Sequence, residues 1–217
     1  MTKTNAYVQT AKGEFALDIK KTQIPLRAVG EDDVLVNFSC SGLCHTDHSM
    51  ITNNWGISVY PTVVGHEGVG RIIQIGKGVS GLAIGDKVGV GWISGSCLKC
   101  SNCLKGEENI CAKGYTGTIL GDNAMGGTFA EQQVVKSRFV FKVPEGLPDA
   151  VIAPLLCAGI TVYSPLRKYV QPGMRVGIIS IGGLGHLGVM YAHALGCDVT
   201  CFSHSEKKEQ EAKGFGA

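Results

Sequence analysis

The sequence predicts a two-part chain: a β-rich domain over residues 1–148, followed by the start of an α/β domain with parallel strands over residues 149–217. Three observations carry this reading. Up to about Val143 the apolar residues come in short β-like runs split by glycines. After Pro144 the texture becomes helical, and the chain then runs strand, glycine turn, helix, strand before it stops.

In the first domain, Val34-Leu35-Val36-Asn37-Phe38, Gly70-Arg71-Ile72-Ile73-Gln74-Ile75 and Lys87-Val88-Gly89-Val90 have the length and turn punctuation of antiparallel strands. In the second, Ala150 to Leu166 reads as one buried helix and Arg175–Ser180 as a short apolar strand. A helix from about Leu184 to Leu195 and the strand Asp198–Phe202 complete a βαβ unit with a parallel pair. Lys207 to Gly216 reads as the next crossover helix, ending in a glycine cap. Nothing follows to supply further strands, so the second domain is expected to be truncated.

Totals exclude several classes. A chain of 217 residues, 44% hydrophobic, is large enough to bury a core. Its 20 basic and 18 acidic residues are scattered, leaving +2 overall and no basic face for a nucleic-acid backbone. No stretch approaches the roughly 18 apolar residues of a membrane span, and the N-terminus has no apolar leader. The expectation is a cytoplasmic protein without nucleic-acid or membrane partners. Nine cysteines, an odd number, suit metal ligation in a reducing compartment better than a disulfide framework.

Cysteine spacing then discriminates. Cys97, Cys100, Cys103 and Cys111 fall within a lobe at residues 95–113, with Gly95 and Gly106 to let the backbone curl round one ion. Four thiolates with no open position are what a closed tetrahedral structural zinc requires. An iron–sulfur ligand set is the alternative, although there the fourth cysteine usually follows closely with a proline. Here seven residues intervene before Cys111, and Ala112 follows it.

Further candidate ligands are spread along the chain. Cys44 stands in Ser41-Gly42-Leu43-Cys44-His45-Thr46-Asp47, His66 in Gly65-His66-Glu67-Gly68-Val69-Gly70, and Cys157 in Pro154-Leu155-Leu156-Cys157-Ala158-Gly159-Ile160-Thr161. Taken with the four-cysteine lobe, these motifs resemble the zinc-containing medium-chain alcohol dehydrogenases, and among them the cinnamyl alcohol dehydrogenase-like branch. The resemblance covers essentially the whole chain. It implies a β-rich GroES-like catalytic domain followed by the start of an α/β Rossmann-type dinucleotide-binding domain, with two Zn2+ per chain, one structural and one catalytic.

By that resemblance, Cys44, His66 and Cys157 hold the catalytic zinc, with a fourth place open. Glu67 resembles a carboxylate that approaches the metal during ligand exchange, and Asp47 resembles the partner that orients His66. Thr46 matches the hydroxyl that opens a proton relay. Relatives commonly end that relay on a histidine where this chain has Ser49, with His48 just before it. A displacement of one residue redirects a side chain, so the relay's end is open. His45 is expected to face the cofactor pyrophosphate, and Thr161 resembles a residue near the nicotinamide amide.

Ser180-Ile181-Gly182-Gly183-Leu184-Gly185 follows a strand and opens a helix, where backbone N–H groups can meet a pyrophosphate. Ser180 replaces the first glycine of the usual pattern. Serine does not take positive φ at low cost, so the turn is expected to differ slightly. After the next strand, Ser203, Ser205, Lys207 and Lys208 suit a 2′-phosphate, so NADP(H) is predicted over NAD(H). Glu206 is the nearest acid, and a solvated helix start capped by Ser205 is the alternative. Trp55, Trp92 and Tyr115 are either cleft-lining or core aromatics.

The resulting expectation is a zinc-dependent oxidoreductase that interconverts a primary alcohol and its aldehyde with NADP(H), acts on a small-molecule substrate, and forms a homodimer at full length. Two alternatives stand beside it: a truncated, noncatalytic zinc-binding fragment or pseudoenzyme, and a polyol dehydrogenase, a group that often dispenses with the four-cysteine lobe.

Overall fold

Alternating valines and isoleucines on a handful of strands organise the first of two units, Met1–Leu156. The computed structural model describes residues 2–13 and 19–217. Its strands in this unit are β1 (Lys3–Gln9), β2 (Ile19–Pro25), β3 (Asp33–Ser41), β4 (Thr62–Val63), β5 (Gly68–Ile75), β6 (Lys87–Val90), β7 (Ile93–Gly95), β8 (Thr116–Gly117), β9 (Gln132–Lys136) and β10 (Val140–Lys142), and its helices before β10 are α1 (His45–Ile51), α2 (Ser101–Leu104) and the short turn α3 (Gly121–Ala124). They pair as a five-stranded antiparallel sheet in the order β10-β6-β5-β3-β9, a three-stranded sheet β2-β1-β4 and a two-stranded neck β7-β8. The three runs read as strands from the sequence are all present.

Successive side chains on a strand point to opposite faces, and β3 shows the consequence. Val34 and Val36 enter one core with Ile72, Val88, Val90, Val135 and Val140. Leu35, between them, joins Leu26 and Val134 in another. Each such buried aliphatic side chain contributes about 1.5–3 kcal/mol. Two register shifts between β3 and β5, at Leu35/Val36 and Phe38/Cys40, interrupt the ladder. Irregularities of this kind bend and twist a strand, here just before it delivers Ser41–Cys44. Gly70 lies in the tight part of this pairing: a Cβ there would stand 2.2 Å from the Asn37 carbonyl oxygen.

Beyond β10, Lys87 anchors the chain to the sheet. Its buried ammonium donates to the Leu147 carbonyl at 2.6 Å and pairs with Asp149 at 2.7 Å, and the Ser39 hydroxyl donates to the same carboxylate. Ile152 and Ala153 pack against Val69, with Leu156 beside them. The first unit therefore extends to Leu156, past the 148/149 boundary expected from the sequence.

The single buried helix expected over 150–166 is not found. Instead α4 (Asp149–Ile152) passes into a 3₁₀ turn at Ala153–Leu156, Cys157 departs from helical geometry at φ −120°, ψ −74°, and α5 (Ala158–Tyr169) starts anew. Pro154 supplies the reason, since it has no N–H for a helical hydrogen bond and its ring crowds the preceding turn. Val151, Ile160 and Tyr163 are exposed, not buried.

The second unit, Cys157–Ala217, holds the βαβ succession. β11 (Arg175–Ile179) and β12 (Asp198–Phe202) pair in parallel, linked by α6 (Gly183–Ala194), and α7 (Glu209–Phe215) follows. Leu166, Val189, Ala192, Cys197 and Val199 form its core. α7 ends at Gly216, φ +109°, the glycine cap read from the sequence. Among the described residues no single helix is long and apolar enough to cross a membrane.

Ser180 takes φ +73°, the left-handed conformation that a glycine would adopt freely. The glycine-like turn expected to shift is thus kept, at a cost in strain. Gly185 is fixed by the same turn, since a Cβ there would fall 1.9 Å from the Ser180 carbonyl oxygen.

Two stability outcomes follow. Gly70→Ala should lower unfolding free energy by about 3 kcal/mol through backbone overpacking, whereas Gly146→Ala, with nothing within 4 Å of the new methyl, should change it by under about 0.5 kcal/mol in urea titrations. Ser180→Gly should raise the stability of the second unit by roughly 1 kcal/mol by relieving the left-handed serine, read as a higher thermal midpoint.

Candidate functional site

Four cysteines are brought together in the lobe between β7 and β8. Those strands pair through Ile93–Gly117 and Gly95–Thr116 and close its neck. Inside the lobe lie α2 (Ser101–Leu104) and a 3₁₀ turn at Glu108–Ile110, with Leu98 and Gly106 at positive φ to complete the curl. The sulfurs of Cys97, Cys100, Cys103 and Cys111 all lie within 4.8 Å of one another. Zinc–thiolate bonds of about 2.3 Å in a tetrahedron require sulfurs roughly 3.8 Å apart. The Cys100–Cys103 and Cys97–Cys103 separations are 3.5 and 3.9 Å.

Backbone amides point at these sulfurs. The Cys100 N–H donates to Cys97 Sγ at 3.3 Å. Hydrogen bonds from the Cys103 and Ala112 amides bring the Cys100 thiol down to about 6, and the Cys97 amide lowers Cys111. Cys103 goes the other way: the Ser96 hydroxyl opposes it, but burial and the neighbouring thiols Cys100 and Cys111 push it up to about 11. Four sulfurs this close cannot all carry charge without a cation among them, so the donor set fits a tetrahedral metal.

The second constellation begins at α1 (His45–Ile51). Cys44 is its N-cap, with the sulfur accepting from the Thr46 N–H at 3.5 Å. Asp47, fully buried, returns to the Cys44 N–H at 2.9 Å through Oδ2. Its Oδ1 accepts from the Gly65 N–H at 2.9 Å and contacts His66 Nδ1 at 3.2 Å. Asp47 thus fixes the His66 ring as well as the start of the helix, and it is not the surface carboxylate its position alone would allow.

His66 itself is completely buried. With Nδ1 on Asp47, Nε2 is left without a hydrogen-bond partner among the described residues. Donor atoms of Cys44, His66 and Glu67 lie within 4.8 Å of one another. Burial works against charge on the imidazole, yet Asp47 and Cys44 overcome it and hold the His66 pKa up at about 9. Asp47 holds one nitrogen of the ring while the other is left open with the Cys44 and Glu67 donors close by, an arrangement that suits a dication.

Two glycines that the sequence reading passed over make this packing possible. A Cβ on Gly42 would fall 1.9 Å from Glu67 Oε2. Gly65, at φ +99°, presents its N–H to Asp47 and has the Phe129 ring 2.5 Å from where a Cβ would stand. Their signal was position: each lies within two residues of a candidate ligand. Cys157 opens the second unit, one peptide bond after Leu156. Within the first unit, Leu156 covers Gly89, its carbonyl oxygen lies 3.1 Å from the Cβ position of Gly91, and Val90 between them pairs with Gly68, two residues after His66.

Around this set, the Trp92 and His66 rings meet edge to face, with centroids 5.4 Å apart and planes at 86°. His45 is exposed, its ring centroid 5.0 Å from that of His48; Thr46 is half-buried and Ser49 buried. Trp55 and Tyr115 are exposed, which excludes core packing for both. A cavity of about 560 Å³ between β1, β2 and β3 is lined by Tyr7, Phe38, Leu43 and Phe129, and none of the predicted site residues lines it.

In the second unit, Ser180 and Ile181 lead from β11 to Gly182, the N-cap of α6, and neither Gly182 nor Gly183 has an atom within 4 Å of where a Cβ would stand. The twelve-residue helix starting there, with Leu184 and Gly185 in its first turn, offers free N–H groups beside an uncluttered backbone. Past β12, the Ser203 hydroxyl donates to the Ser205 carbonyl at 3.3 Å, and Ser205 caps the next turn by accepting from the Lys207 N–H. Lys208 Nζ reaches back to the Ile181 carbonyl at 2.7 Å and so ties the serine segment to the glycine turn. Thr161 lies exposed on α5.

Comparison with known proteins agrees with this geometry. Residues 30–145, more than half of the chain, match the Alcohol dehydrogenase GroES-like domain. The chain is 41% identical to the probable cinnamyl alcohol dehydrogenase 6 of Oryza sativa subsp. japonica over 97% of its own length and 62% of that protein's. It is 47% identical to the mannitol dehydrogenase of Petroselinum crispum, over 86% of this chain and 57% of that one. The crystal structure of CAD from Helicobacter pylori complexed with NADP(H) superposes with a TM-score of 0.89 at 37% identity, over 100% of this chain and 63% of that one. This chain therefore spans about three fifths of the length of such relatives. It belongs to the medium-chain alcohol dehydrogenase family, in the cinnamyl alcohol dehydrogenase-like branch, and comprises the GroES-like domain and the opening of a Rossmann-type domain.

Proposed function

We propose that the protein to which this chain belongs is a zinc-dependent alcohol dehydrogenase that interconverts a primary alcohol and its aldehyde with NADP(H). The observation that carries the reading is His66: buried, held by Asp47 through Nδ1, and presenting an unpartnered Nε2 beside Cys44 and Glu67. Such a carboxylate–imidazole pair is how metal-ligating histidines are normally oriented.

Cys44, His66 and Cys157 would hold the catalytic ion, and Cys97, Cys100, Cys103 and Cys111 the structural one. When bound, zinc supplies Lewis acidity toward the substrate oxygen and NADP(H) supplies the hydride chemistry. Asp47 keeps the imidazole in one tautomer, and Glu67 stands by to approach the site as ligands exchange. Thr46 receives the hydroxyl proton and passes it on, since a hydroxyl accepts and donates without storing charge. His48 or Ser49 continues that path. His45 and the α6 N-terminus take the pyrophosphate, and Thr161 the nicotinamide amide. Ser203, Ser205 and Lys207 face a 2′-phosphate, with Lys208 holding their segment to the glycine turn. At full length the protein is a homodimer of a reducing, cytoplasmic compartment, which nine cysteines, an odd number with metal-ligand spacing among them, favour.

Polyol oxidation is the second reading, and the 47% identity to a plant mannitol dehydrogenase favours it. Competing aldehydes and polyols in one assay decide between the two.

In the full-length protein, elemental analysis should give two zincs per chain, and NADPH oxidation should depend on zinc with aromatic and medium-chain aliphatic aldehydes. No activity after zinc reconstitution overturns the enzyme assignment, and a preference for NADH overturns the cofactor. Asp47→Asn should weaken zinc at the Cys44–His66 site by roughly 10- to 100-fold in chelator competition and leave the four-cysteine site unchanged.

A further inference from the structure

The four-cysteine lobe and His66 are joined by a short path of contacts that neither metal site requires for its own ligands. Tyr115 stands just before β8, where the chain leaves the lobe four residues after Cys111, and a turn from the Gly114 N–H to the Cys111 carbonyl at 2.9 Å fixes this exit. Its hydroxyl accepts from Trp92 Nε1 at 3.3 Å. Trp92 precedes β7, the strand that enters the lobe, and its carbonyl accepts from the Thr118 N–H at 2.6 Å. Gly117 leaves the indole its place: a Cβ there would lie 2.8 Å from the six-membered ring. That indole also packs against the buried Met50, Ile51, Val64 and Ile119, and it faces the His66 ring, 5.4 Å away at 86°.

We propose that Tyr115 is a positioning residue: by holding the Trp92 indole against His66, it makes the orientation of the imidazole depend on whether the four-cysteine lobe is folded around its ion. The argument is geometric. The indole is only partly buried against that cluster, and a hydrogen bond at its only donor narrows the rotamers left to it. Asp47 fixes the ring of His66 at Nδ1 but leaves rotation about the line to Asp47 open, and a perpendicular aromatic neighbour limits that rotation. Ring quadrupoles favour edge-to-face pairs of this kind over face-to-face ones, so the pair has a preferred orientation. Tyr115 is exposed, so its place is set by the lobe exit and not by core packing. Loss of the lobe's ion frees Cys111, hence Tyr115, hence Trp92. The inference rests on the metal reading of Cys44 and His66 given above.

The test uses Tyr115→Phe, which keeps the ring and removes only the hydroxyl, in the purified zinc-loaded protein. The readouts are tryptophan emission together with near-ultraviolet circular dichroism, and the release of zinc to a chromophoric chelator, resolved into two phases. Expected are an altered Trp92 signal and faster release from the Cys44–His66 site by up to about tenfold, the low end of what outer-shell partners contribute. The lobe phase should be unchanged. In a Trp92→Phe background the same substitution should have no further effect on release, which a general loss of stability would not reproduce. Cys103→Ser, which empties the lobe, should speed release at the His66 site in the presence of Tyr115 and add little in Tyr115→Phe. Two zincs per chain with release and tryptophan signals unmoved by Tyr115→Phe overturn the inference alone. A chain that binds only the lobe ion overturns the functional reading and the inference with it.

Discussion

A single buried carboxylate organises the site. Asp47 accepts from the Cys44 and Gly65 backbone N–H groups and contacts the His66 ring, so two segments, residues 44–47 and 65–66, converge on two oxygen atoms. A carboxylate completely removed from water is costly unless every lone pair is used, and hydrogen bonds to an ionised acceptor are the strong ones. The same residue starts a helix, closes the turn before β5 and sets which imidazole nitrogen is left open. It is the point at which folding of the sheet and preparation of the site become one event.

The sheet supplies the precision that this carboxylate needs. β3 ends in a bulged, tightly paired stretch against β5, and both Cys44 and His66 lie within a few residues of that pairing, one after β3 and one before β5. The glycines nearby keep the backbones close: Gly70 against Asn37, Gly65 against Phe129. A site built from loop residues thereby inherits the register of a ladder, and the lobe contributes its own stiff neck through β7 and β8.

Much of this was legible in the residues. Strands Lys87–Val90 and Asp198–Phe202 and the Gly216 cap are where alternation and turn chemistry put them, because those signals are local. The four-cysteine spacing pointed to sulfurs that do converge. What was not legible was non-local. A proline's effect on a helix that otherwise reads as continuous depends on whether neighbours hold it straight, and Pro154 breaks the expected run into two helices. The first unit's extension to Leu156 follows from Lys87 capturing the chain at Leu147 and Asp149, a long-range anchor with no periodic signature. Ser180 keeps a glycine's conformation because the helix and strand around it over-determine the turn. Gly42 and Gly65 carried no motif, since what matters is the volume they leave empty.

That emptiness at Gly42 changes how inherited variation in this chain should be interpreted. The space of one absent methyl is filled by a carboxylate oxygen from Glu67, so any replacement at residue 42, however mild by chemical similarity, forces the Glu67 carboxylate to move from its place beside His66. A variant there would look innocuous on every scale that scores polarity or ligand identity, yet it would present as a lesion of the site proposed to hold the metal. The surroundings of His66 thus include a residue whose contribution is to have no side chain at all.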